Sequence, residues 1–530
     1  MKYSRHILIS VAALFLFSSC GDYLKEYSQD TDYVRTWEDL NETLIGDCYI
    51  PEYQCNTVSQ VSDNQYFIHF LGDELVENPT GYSPWYMMYD DKEKVFGYFT
   101  WQARSGQNDT YTGYNEENGN WTQIYRLINV ANNIIYSLGD VPQNTTEEKT
   151  GAMKVDGEAH FLRAYYYFWL VNLYGDPYQA STASTDLGVP IKTSEKVEDK
   201  YFQRNTVQEC YDQILADLAI AESDLSQTGS QPSVFRADVT AVRFLMSRVY
   251  LYMQNWEKAA EYAQKVIDAK STLTNLNRMS EGQAFLSESS DETIFSMGGN
   301  AMPNFTSFEY KGFSISDTIY NMYADDDLRK TLFMWHHGTF NGYTKLEDAS
   351  TDATTPNTDA YYYQEHYYLP WNFAQSEVSD KFLFRTAEAY LTKAEAEAYM
   401  GNEDEARQLI NTLRSYRYKT GSDYEVTATG NDLVRLIRDE RERELCLEGQ
   451  RWFDLRRYGV CPVCPERKPI IHDYYYYTDR NSTTQVEMHR FTLEPDDWGY
   501  TLPIPQEVID FNGMTQNERG TRTYTTIQLQ

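Results

Sequence analysis

Apolar residues that recur every three to four positions constrain the fold of this chain more than any other feature. Such a stripe is the pattern of a helix with one buried face. One stripe runs from Trp121 to Leu138, and a second runs from Val155 to Leu173. A third follows Thr206, which with Glu209 has the spacing of a capping box. Further stripes cover residues 237–253, 256–269, 385–400 and 403–417, and a last one begins at Asp432. The sequence therefore predicts a mostly α-helical fold with a few short strands.

Two turns between these helices are alike. Met253-Gln-Asn255 and Met400-Gly-Asn402 each join an alanine-rich helix to a second helix that also carries alanine. The pattern resembles the turn inside a tetratricopeptide repeat, where small residues let two helices pack closely. Because the two turns are not in tandem, the sequence predicts a helical-repeat scaffold interrupted by long irregular excursions.

The excursions cover residues 52–119, 270–380 and 458–503, and they are rich in aromatic residues. The chain has 46 tyrosines. A tyrosine combines an apolar ring with a polar tip, so it suits a wet surface better than phenylalanine does. Loops of this length are uncommon in a compact domain unless they serve a function. We therefore expect more than half of the excursion aromatics to be local core, and the excess tyrosine of the excursions, which include Tyr474 to Tyr477, to form a wet stacking surface.

The acidic balance of the chain limits its ligands. It has 79 Asp and Glu against 46 Lys and Arg, a formal net charge of −33. A polyanion cannot neutralise phosphates over a broad face, so nucleic-acid binding is excluded as a general function. We expect neutral or partly cationic ligands, and only a local basic patch would admit a strongly acidic glycan.

The amino terminus has the pattern of an export signal. Lys2 and Arg5 precede the apolar run from Ile7 to Phe17, and two serines then lead to Cys20. The end of this segment resembles the lipobox of bacterial lipoproteins. The resemblance implies a signal peptide at residues 1–19, acylation of Cys20 by palmitate or a similar chain, and a lipidated tether over residues 20–36. More than one acyl chain makes such an anchor stable.

The segment from Glu440 to Arg457 carries the most specific motif of the chain. It reads ERERELCLEGQRWFDLRR. The string resembles the signature of the SusD/RagB family of outer-membrane nutrient-binding lipoproteins. The signature positions that we single out are Glu440, Arg441, Arg443, Glu444, Glu448, Gly449, Arg451, Trp452, Phe453, Asp454, Arg456 and Arg457.

Other landmarks of the family follow in the expected order. They are Glu158 to Arg163 with Asn172 to Pro177, Asp327 with Arg329, Arg385 to Glu395, and Leu502 to Asn517. The ending Glu518-Arg519-Gly520 departs from the usual Pro-Gly of the family. The resemblance covers essentially the whole mature chain.

This resemblance implies a SusD-like fold and a surface lipoprotein of the outer membrane. It implies an N-terminal half at residues 37–230 and a C-terminal half at 231–530, packed as one composite domain. The implied function is to capture oligosaccharides and deliver them to a SusC-like TonB-dependent transporter. Two alternatives stay open: the same architecture capturing peptides, as in RagB-like members, and an interaction scaffold that binds no ligand.

The family resemblance places the ligand site on loops from both halves. Aromatic residues suit sugar stacking because they offer a rigid apolar face at low entropy cost. We select as ligand-binding candidates Tyr82, Trp85, Tyr86, Trp101, Asn108, Tyr310 and Trp335. Trp335 has an alternative interpretation, since Leu332 to His336 has the pattern of a buried strand.

The signature string itself is interpreted as structural. Arginines and glutamates on one helix beside Trp452 and Phe453 suit a lock between two helical layers. We expect Arg438–Glu442 and Asp439–Arg443 to pair at i,i+4 spacing, and Gly449 to allow a C-terminal cap.

Motifs for catalysis or metal binding are missing from the sequence. It has no nucleophile elbow, no His-Glu-x-x-His and no glycine-rich phosphate loop. The adjacent His336 and His337 would point to opposite faces of a strand. Asp325 to Asp327 lacks the glycine and final glutamate of a calcium loop. We expect neither enzymatic activity nor a metal or cofactor.

The cysteines divide into three groups. Cys461 and Cys464 form a C-x-x-C pair, for which a short surface disulfide and two free thiols both stay open. Cys48 and Cys55 are able to pair in an oxidising compartment. Cys210 and Cys446 lie within helical patterns and are expected in the core.

Overall fold

Long helices form the scaffold of this computed structural model. It describes residues 34–50, 65–79, 88–109, 114–280, 283–306, 312–348, 374–479, 482 and 484–529. Up to residue 269 the helices are α1 (Trp37–Thr43), α2 (Met88–Phe99), α3 (Gly119–Ser137), α4 (Thr146–Tyr174), α5 (Val207–Leu225), α6 (Val239–Tyr252) and α7 (Trp256–Ala269). The later helices are α8 (Met302–Thr306), α9 (Asp317–Tyr320), α10 (Arg329–Leu332), α11 (Thr386–Met400), α12 (Glu403–Ser415), α13 (Gly430–Glu444), α14 (Arg451–Gly459) and α15 (Gln506–Asn512). The mostly helical prediction is confirmed.

The central helix is α4, which is 29 residues long. Thr145 and Glu148 form a capping box at its start, and the backbone N–H of Gly175 closes its end on the Val171 carbonyl. From Gly157 to Tyr174 every residue of α4 is buried. A helix that is covered on all sides belongs to the interior of a large domain. The predicted stripe was therefore correct but understated how much of the helix is covered.

The two similar turns have the same backbone conformation. Gln254 joins α6 to α7 with φ of 60°, and Gly401 joins α11 to α12 with φ of 83°. Both residues thus occupy the left-handed region, which lets a helix end and the chain reverse. Asn255 then caps α7 by accepting a hydrogen bond from the Lys258 N–H at 3.2 Å. The predicted correspondence of the two turns is confirmed.

The signature segment is broken into two helices. Helix α13 ends at Glu444, six residues form a turn, and α14 begins at Arg451. Two residues of this turn have positive φ, Gly449 at 71° and Leu447 at 55°. The prediction of Gly449 as the cap of one helix was wrong, because the helix ends earlier and Gly449 lies against Lys381 instead, where a Cβ would come within 2.8 Å.

Short antiparallel strands connect the helices. They are β1 (Leu75–Glu77), β2 (Thr293–Ser296), β3 (Phe313–Ile315), β4 (Met334–His337), β5 (Phe340–Tyr343), β6 (Glu347–Asp348), β7 (Ala374–Gln375), β8 (Leu383–Arg385), β9 (Ile470–Tyr477), β10 (Gln485–Leu493) and β11 (Tyr524–Gln528). The pairs are β1 with β3, β2 with β8, β4 with β5 and β6 with β7, while β11, β10 and β9 form one sheet in that order. The three-stranded sheet shows that the third excursion has regular structure.

Three tyrosines of β9 belong to the core that we expected for most excursion aromatics, and not to the wet surface. Tyr474, Tyr476 and Tyr477 are buried, with Tyr474 fully covered. Their side chains pack against α2 and the neighbouring strand, for example Tyr474 against Phe96 at a centroid distance of 4.9 Å. The tyrosines at 361–363, 367 and 368 lie outside the described residues. In the third excursion the excess tyrosine therefore builds core.

The cysteines of the described residues are free and buried. Cys461 and Cys464 are free thiols within the core, so the surface disulfide is wrong and the alternative of two free thiols is confirmed. Cys210 and Cys446 are buried as predicted. Cys48 is also buried and free, whereas Cys55 lies outside the described residues.

One hydrophobic core runs through both predicted halves. It includes Leu40 and Leu162 from the first half and Leu391 and Phe453 from the second. The boundary at residue 230 stays a prediction. Of the helices that the structure describes, none is both long enough and apolar enough to cross a membrane.

Candidate functional site

The predicted ligand residues separate into two groups. Tyr82, Trp85, Tyr86 and Tyr310 lie outside the described residues, as does the lipidation candidate Cys20. Trp101, Asn108 and Trp335 are described, and all three are buried.

Trp101 is a core residue. Its side chain is 2% exposed, and its indole N–H donates to the Leu71 carbonyl at 2.9 Å. The imidazole of His472 stacks on the indole at 4.5 Å and on Phe99 at 4.0 Å. The expectation that Trp101 presents an open ring is wrong, because the ring closes a stack between α2 and β9.

Trp335 and Asn108 also face neighbouring protein. Trp335 lies in β4 and contacts Phe340 of β5 at 5.0 Å, which matches its alternative interpretation as a residue of a buried strand. The Asn108 amide donates to Asn115 at 3.2 Å and accepts a bond in return. Their contact with a ligand stays a prediction.

The strand pair β1–β3 brings the flanks of two predicted binding segments together. Glu77 pairs with Phe313, and the Asn78 N–H donates to the Gly312 carbonyl at 2.8 Å. The segment with Tyr82, Trp85 and Tyr86 begins two residues after Asn78, and the segment with Tyr310 ends just before Gly312. These two segments are more than 220 residues apart in the chain, yet both start from one short ladder. We call this ladder the loop base (residues 75–78 and 312–315).

A buried ion pair fixes the loop base to the three-stranded sheet. The ammonium group of Lys92 lies 2.5 Å from Glu77 and 3.8 Å from the centre of the Tyr474 ring. Glu77 also accepts the Tyr475 N–H at 3.0 Å, and the Tyr474 hydroxyl donates to Asp109 at 2.7 Å. Burial lowers the pKa of Lys92, and the neighbouring Glu77 opposes this effect. The pair is thus a rigid support, since separating two buried charges is costly.

Sequence reasoning did not find Lys92, Glu77 or Asp109. A lysine and a glutamate on short elements give no periodic signal, and their pairing depends on contacts 15 residues or more apart. Among the described residues no group of three or more His, Cys, Asp or Glu is arranged to hold a metal ion.

Glu444 is the centre of a second set of charges, built by the signature. Arg329, Arg385 and Arg417 place guanidinium nitrogens 2.8, 2.6 and 2.8 Å from its carboxylate. All four side chains are at most 1% exposed. The same arginines also bind Asp327, Glu448 and Glu292, so each positive charge has more than one acceptor.

Most other charged residues of the signature are also paired, whereas Arg456 donates to the backbone carbonyls of Asn172 and Gly175. Asp454 accepts from Arg441 at 2.7 Å and from Arg457 at 2.8 Å, and Arg457 also binds Glu395. The expected i,i+4 pairs are replaced by others, because Arg438 binds Glu466 and Arg443 binds Glu440. Most of these bonds join different elements, in agreement with the interpretation of the signature as a lock between helical layers.

The guanidinium group of Arg451 forms ion pairs with two carboxylates. Buried carboxyls at this place make the stability of the protein depend on pH. Arg451 binds Asp73 at 2.6 Å and Glu442 at 2.9 Å. Burial raises the pKa of Glu442 to about 8, and Asp73 adds to this rise. Burial likewise raises the pKa of Glu74 to about 7.

We expect the free energy of unfolding to fall as pH rises from 6 to 8. Between the unfolded pKa near 4.5 and these raised values, the carboxyls of Glu442 and Glu74 hold more protons in the folded chain than in the unfolded chain, so their titration favours unfolding as pH rises. The expected loss is about 1–2 kcal/mol, measured by urea unfolding at both pH values. Glu442→Gln should flatten this dependence, whereas Glu257→Gln on the exposed face of α7 should leave it unchanged. An equally steep fall in Glu442→Gln would contradict the assignment.

Comparison with models of known protein families shows to which family this chain belongs. A family model described as the SusD family matches residues 239–519, which is more than half of the chain. The chain belongs to the SusD family. A second model, described as starch-binding and associating with the outer membrane, matches residues 48–251.

Comparisons with individual proteins agree with this family assignment. SusD-like protein P2 of Formosa agariphila is 28% identical over 377 residues, which cover 64% of this chain and 70% of that protein. The starch-binding protein SusD of Bacteroides thetaiotaomicron is 25% identical over 392 residues, covering 61% and 67%. A crystal structure of a SusD-like carbohydrate binding protein from Bacteroides vulgatus superposes with a TM-score of 0.61 at 20% identity, covering 90% and 97%. That last likeness concerns the fold.

Membership in the SusD family accounts for the charges of the signature, but not for the pair of Lys92 and Glu77 at the loop base. The family signature holds the buried network around Glu444, and the landmarks Asp327 with Arg329 and Arg385 to Glu395 supply its partners. The SusD family is one of carbohydrate-binding proteins rather than enzymes.

Proposed function

We propose that this protein is a cell-surface lipoprotein that captures oligosaccharides and delivers them to a SusC-like TonB-dependent transporter. The cargo is proposed from the SusD relatives, of which one is named starch-binding and another carbohydrate binding. The lipobox-like ending at Cys20 supports anchoring by acyl chains and a position at the outer membrane facing outward. Such a protein makes and breaks no bond.

The loop base is the observation that carries the binding part of the proposal. It joins two aromatic segments from distant parts of the sequence at one ladder, where Asn78 binds Gly312. Loops held by a rigid scaffold are the usual place for ligand contacts. Tyr82, Trp85, Tyr86 and Tyr310 are the proposed stacking residues. The segments that carry them adjoin the loop base in the chain, and Lys92 with Glu77 fixes the loop base to the three-stranded sheet.

The second candidate keeps the architecture and changes the cargo to peptides. The net charge of −33 favours this alternative for cationic peptides. A scaffold without a ligand is the third candidate. The three candidate functions differ in the ligand that binds and in whether substitution of the loop aromatic residues weakens that binding.

We expect the double substitution Trp85→Ala with Tyr86→Ala to weaken binding of an oligosaccharide by about tenfold or more, because aromatic anchors carry a large share of contact energy. Affinity electrophoresis against a polysaccharide panel finds the ligand, and calorimetry with its oligosaccharide measures the loss. The matched control is Tyr136→Ala, a tyrosine that is 57% exposed on α3.

Equal affinity of the double variant and the parent protein would refute the proposed stacking residues. Binding of cationic peptides without any glycan would favour the second candidate. Co-purification of the native lipoprotein with a transporter tests delivery, and its absence together with an empty glycan panel would refute the whole proposal.

A further inference from the structure

The hairpin of β4 and β5 places a histidine directly opposite an asparagine. His336 of β4 pairs with Asn341 of β5. Side chains at opposite positions of an antiparallel pair are close enough to interact. Accordingly, the Nδ1 atom of His336 lies 2.7 Å from the Oδ1 atom of Asn341. His336 is exposed and Asn341 is fully buried, so a buried amide holds an exposed imidazole.

The contacts of Asn341 fix which nitrogen of this imidazole carries the proton. The Nδ2 atom of Asn341 donates to the Ile315 carbonyl at 3.0 Å and to Oδ1 of Asp317 at 2.9 Å. A carbonyl and a carboxylate only accept, so the amide nitrogen must face them and the amide oxygen must face His336. The amide oxygen also only accepts, so Nδ1 of His336 is the donor. In the neutral ring the other nitrogen, Nε2, is therefore an acceptor.

The plane of the His336 ring is fixed as well. The imidazole stacks on Tyr320 of α9, with 4.8 Å between the ring centroids and 19° between the ring planes. Ordering an exposed side chain costs conformational entropy, which the stack and the bond to Asn341 offset here. In the part of the chain that the structure describes, Nε2 has no hydrogen-bond partner. His336 thus carries one oriented acceptor that the protein itself does not use.

Asn341 also ties this histidine to the loop base. Its backbone N–H donates to the Ser314 hydroxyl at 2.9 Å, and its side chain bonds Ile315. Ser314 and Ile315 belong to β3. The segment with Tyr310 ends just before Gly312, which is three residues or about 10 Å of extended chain from Ile315. The oriented histidine and the segments with the proposed stacking residues therefore share one support.

Asp317 supplies a second acceptor, joined to the histidine through the Asn341 amide. Asp317 is exposed, and one of its carboxylate oxygens accepts from Asn341, while the other has no partner among the described residues. The ammonium group of Lys330 lies 5.3 Å from the centre of the Tyr320 ring, but it is bound by Asp325 at 2.8 Å. The unused groups around His336 are therefore acceptors, which suit a ligand that donates hydrogen bonds.

We propose that His336 contacts the captured oligosaccharide and that its Nε2 atom accepts a hydrogen bond from a sugar hydroxyl group. This inference rests on the proposed function and adds a specificity to it, namely for neutral glycans. An acidic sugar would set its carboxylate against Asp317, and like charges at an interface are unfavourable. Tyr320 and Asn341 are positioning residues for the imidazole.

Affinity electrophoresis of the full mature chain tests the contact. Amylopectin, galactomannan and laminarin are the neutral probes, and polygalacturonate is the acidic probe. We expect a neutral probe to retard the parent protein and polygalacturonate not to retard it. His336→Phe keeps an aromatic ring on Tyr320 but has no acceptor, so it should weaken the binding at least fivefold. Thr339→Ala, in the exposed turn of the same hairpin, is the matched control and should bind as the parent protein does.

Modification with diethylpyrocarbonate gives a second measurement on the unaltered protein. The reagent acylates an accessible imidazole nitrogen that carries no proton, and mass spectrometry of peptides locates the product. We expect His336 to react faster than the buried His69, His160 and His472. We also expect the retarding polysaccharide to protect His336, which a histidine with a purely structural role would not show.

The outcomes separate this contact from the proposed function. If His336→Phe is retarded as strongly as the parent protein, or if the polysaccharide does not protect His336, the contact is overturned and capture of glycans stands. Retardation by polygalacturonate alone, or binding of tetralysine without any glycan, overturns the preference for neutral glycans. If no probe retards the parent protein, the proposed function fails and the contact fails with it. The protection measurement decides the matter even if His336→Phe does not fold.

Discussion

Replacing Glu444 with Gln is expected to remove about 3–5 kcal/mol from the free energy of unfolding, because it breaks a buried charge network on one side only. Three arginines would keep their positive charges in the core while losing the carboxylate that all of them bind at 2.6–2.8 Å. The amide of glutamine has nearly the same shape, so the loss would report charge and hydrogen bonding rather than a cavity. Urea unfolding followed by tryptophan fluorescence gives the midpoint and the slope from which the difference is obtained.

The matched control for this experiment is Glu261→Gln. Glu261 lies on the surface of α7, where it binds Lys258 at 2.7 Å and Lys265 at 2.9 Å. Exposed ion pairs contribute at most about 1 kcal/mol, so this variant should unfold close to the parent protein. If Glu444→Gln were as stable as Glu261→Gln, the network would not be the lock that we infer.

Replacing Trp101 with Ala is expected to cost about 3–5 kcal/mol of stability, and to leave ligand affinity unchanged in the molecules that stay folded. The substitution removes a side chain that is 2% exposed, its hydrogen bond to Leu71 and its stack on His472. Thermal and urea unfolding measure the first effect. Calorimetry with the oligosaccharide that the parent protein binds measures the second.

Two control variants distinguish a loss of core packing from a loss of ligand contacts. Tyr136→Ala removes an exposed ring and should change stability little. Trp85→Ala with Tyr86→Ala should show the opposite behaviour to Trp101→Ala, with weaker binding and nearly unchanged unfolding. A Trp101→Ala protein that unfolds normally but loses its ligand would return Trp101 to the binding site.

The helices were predictable because their signal is local. A capping box at Thr206 and Glu209 and an apolar stripe behind it define α5 without reference to any distant residue. The equivalence of Gln254 and Gly401 was likewise visible, because a turn of two or three residues between helices has few solutions. The resemblance to the family signature also predicted the overall fold.

The partners of charged and aromatic residues were not predictable. Spacing along α13 pointed to Arg438–Glu442, yet Arg438 binds Glu466, which lies 28 residues away. In the same way Trp101 was expected at the surface because it lies in an aromatic-rich excursion that the family resemblance favours for the ligand site. Its ring is instead covered by His472 from a strand 371 residues later. An isolated sequence contains the residue types of such contacts but not the distances that decide them.

The strand pair β6–β7 encloses a stretch of chain that can change in length and sequence without disturbing the helical scaffold. Glu347 pairs with Gln375 and Asp348 with Ala374, so the chain enters and leaves the intervening 25 residues at one ladder. The entropy of closing a loop grows only slowly with its length, by about 0.6 kcal/mol per doubling. Insertions, deletions and substitutions between these strands therefore disturb the folding of the helices little. A lineage that carries this fold is able to change the length and sequence between β6 and β7 while the helical scaffold stays as it is.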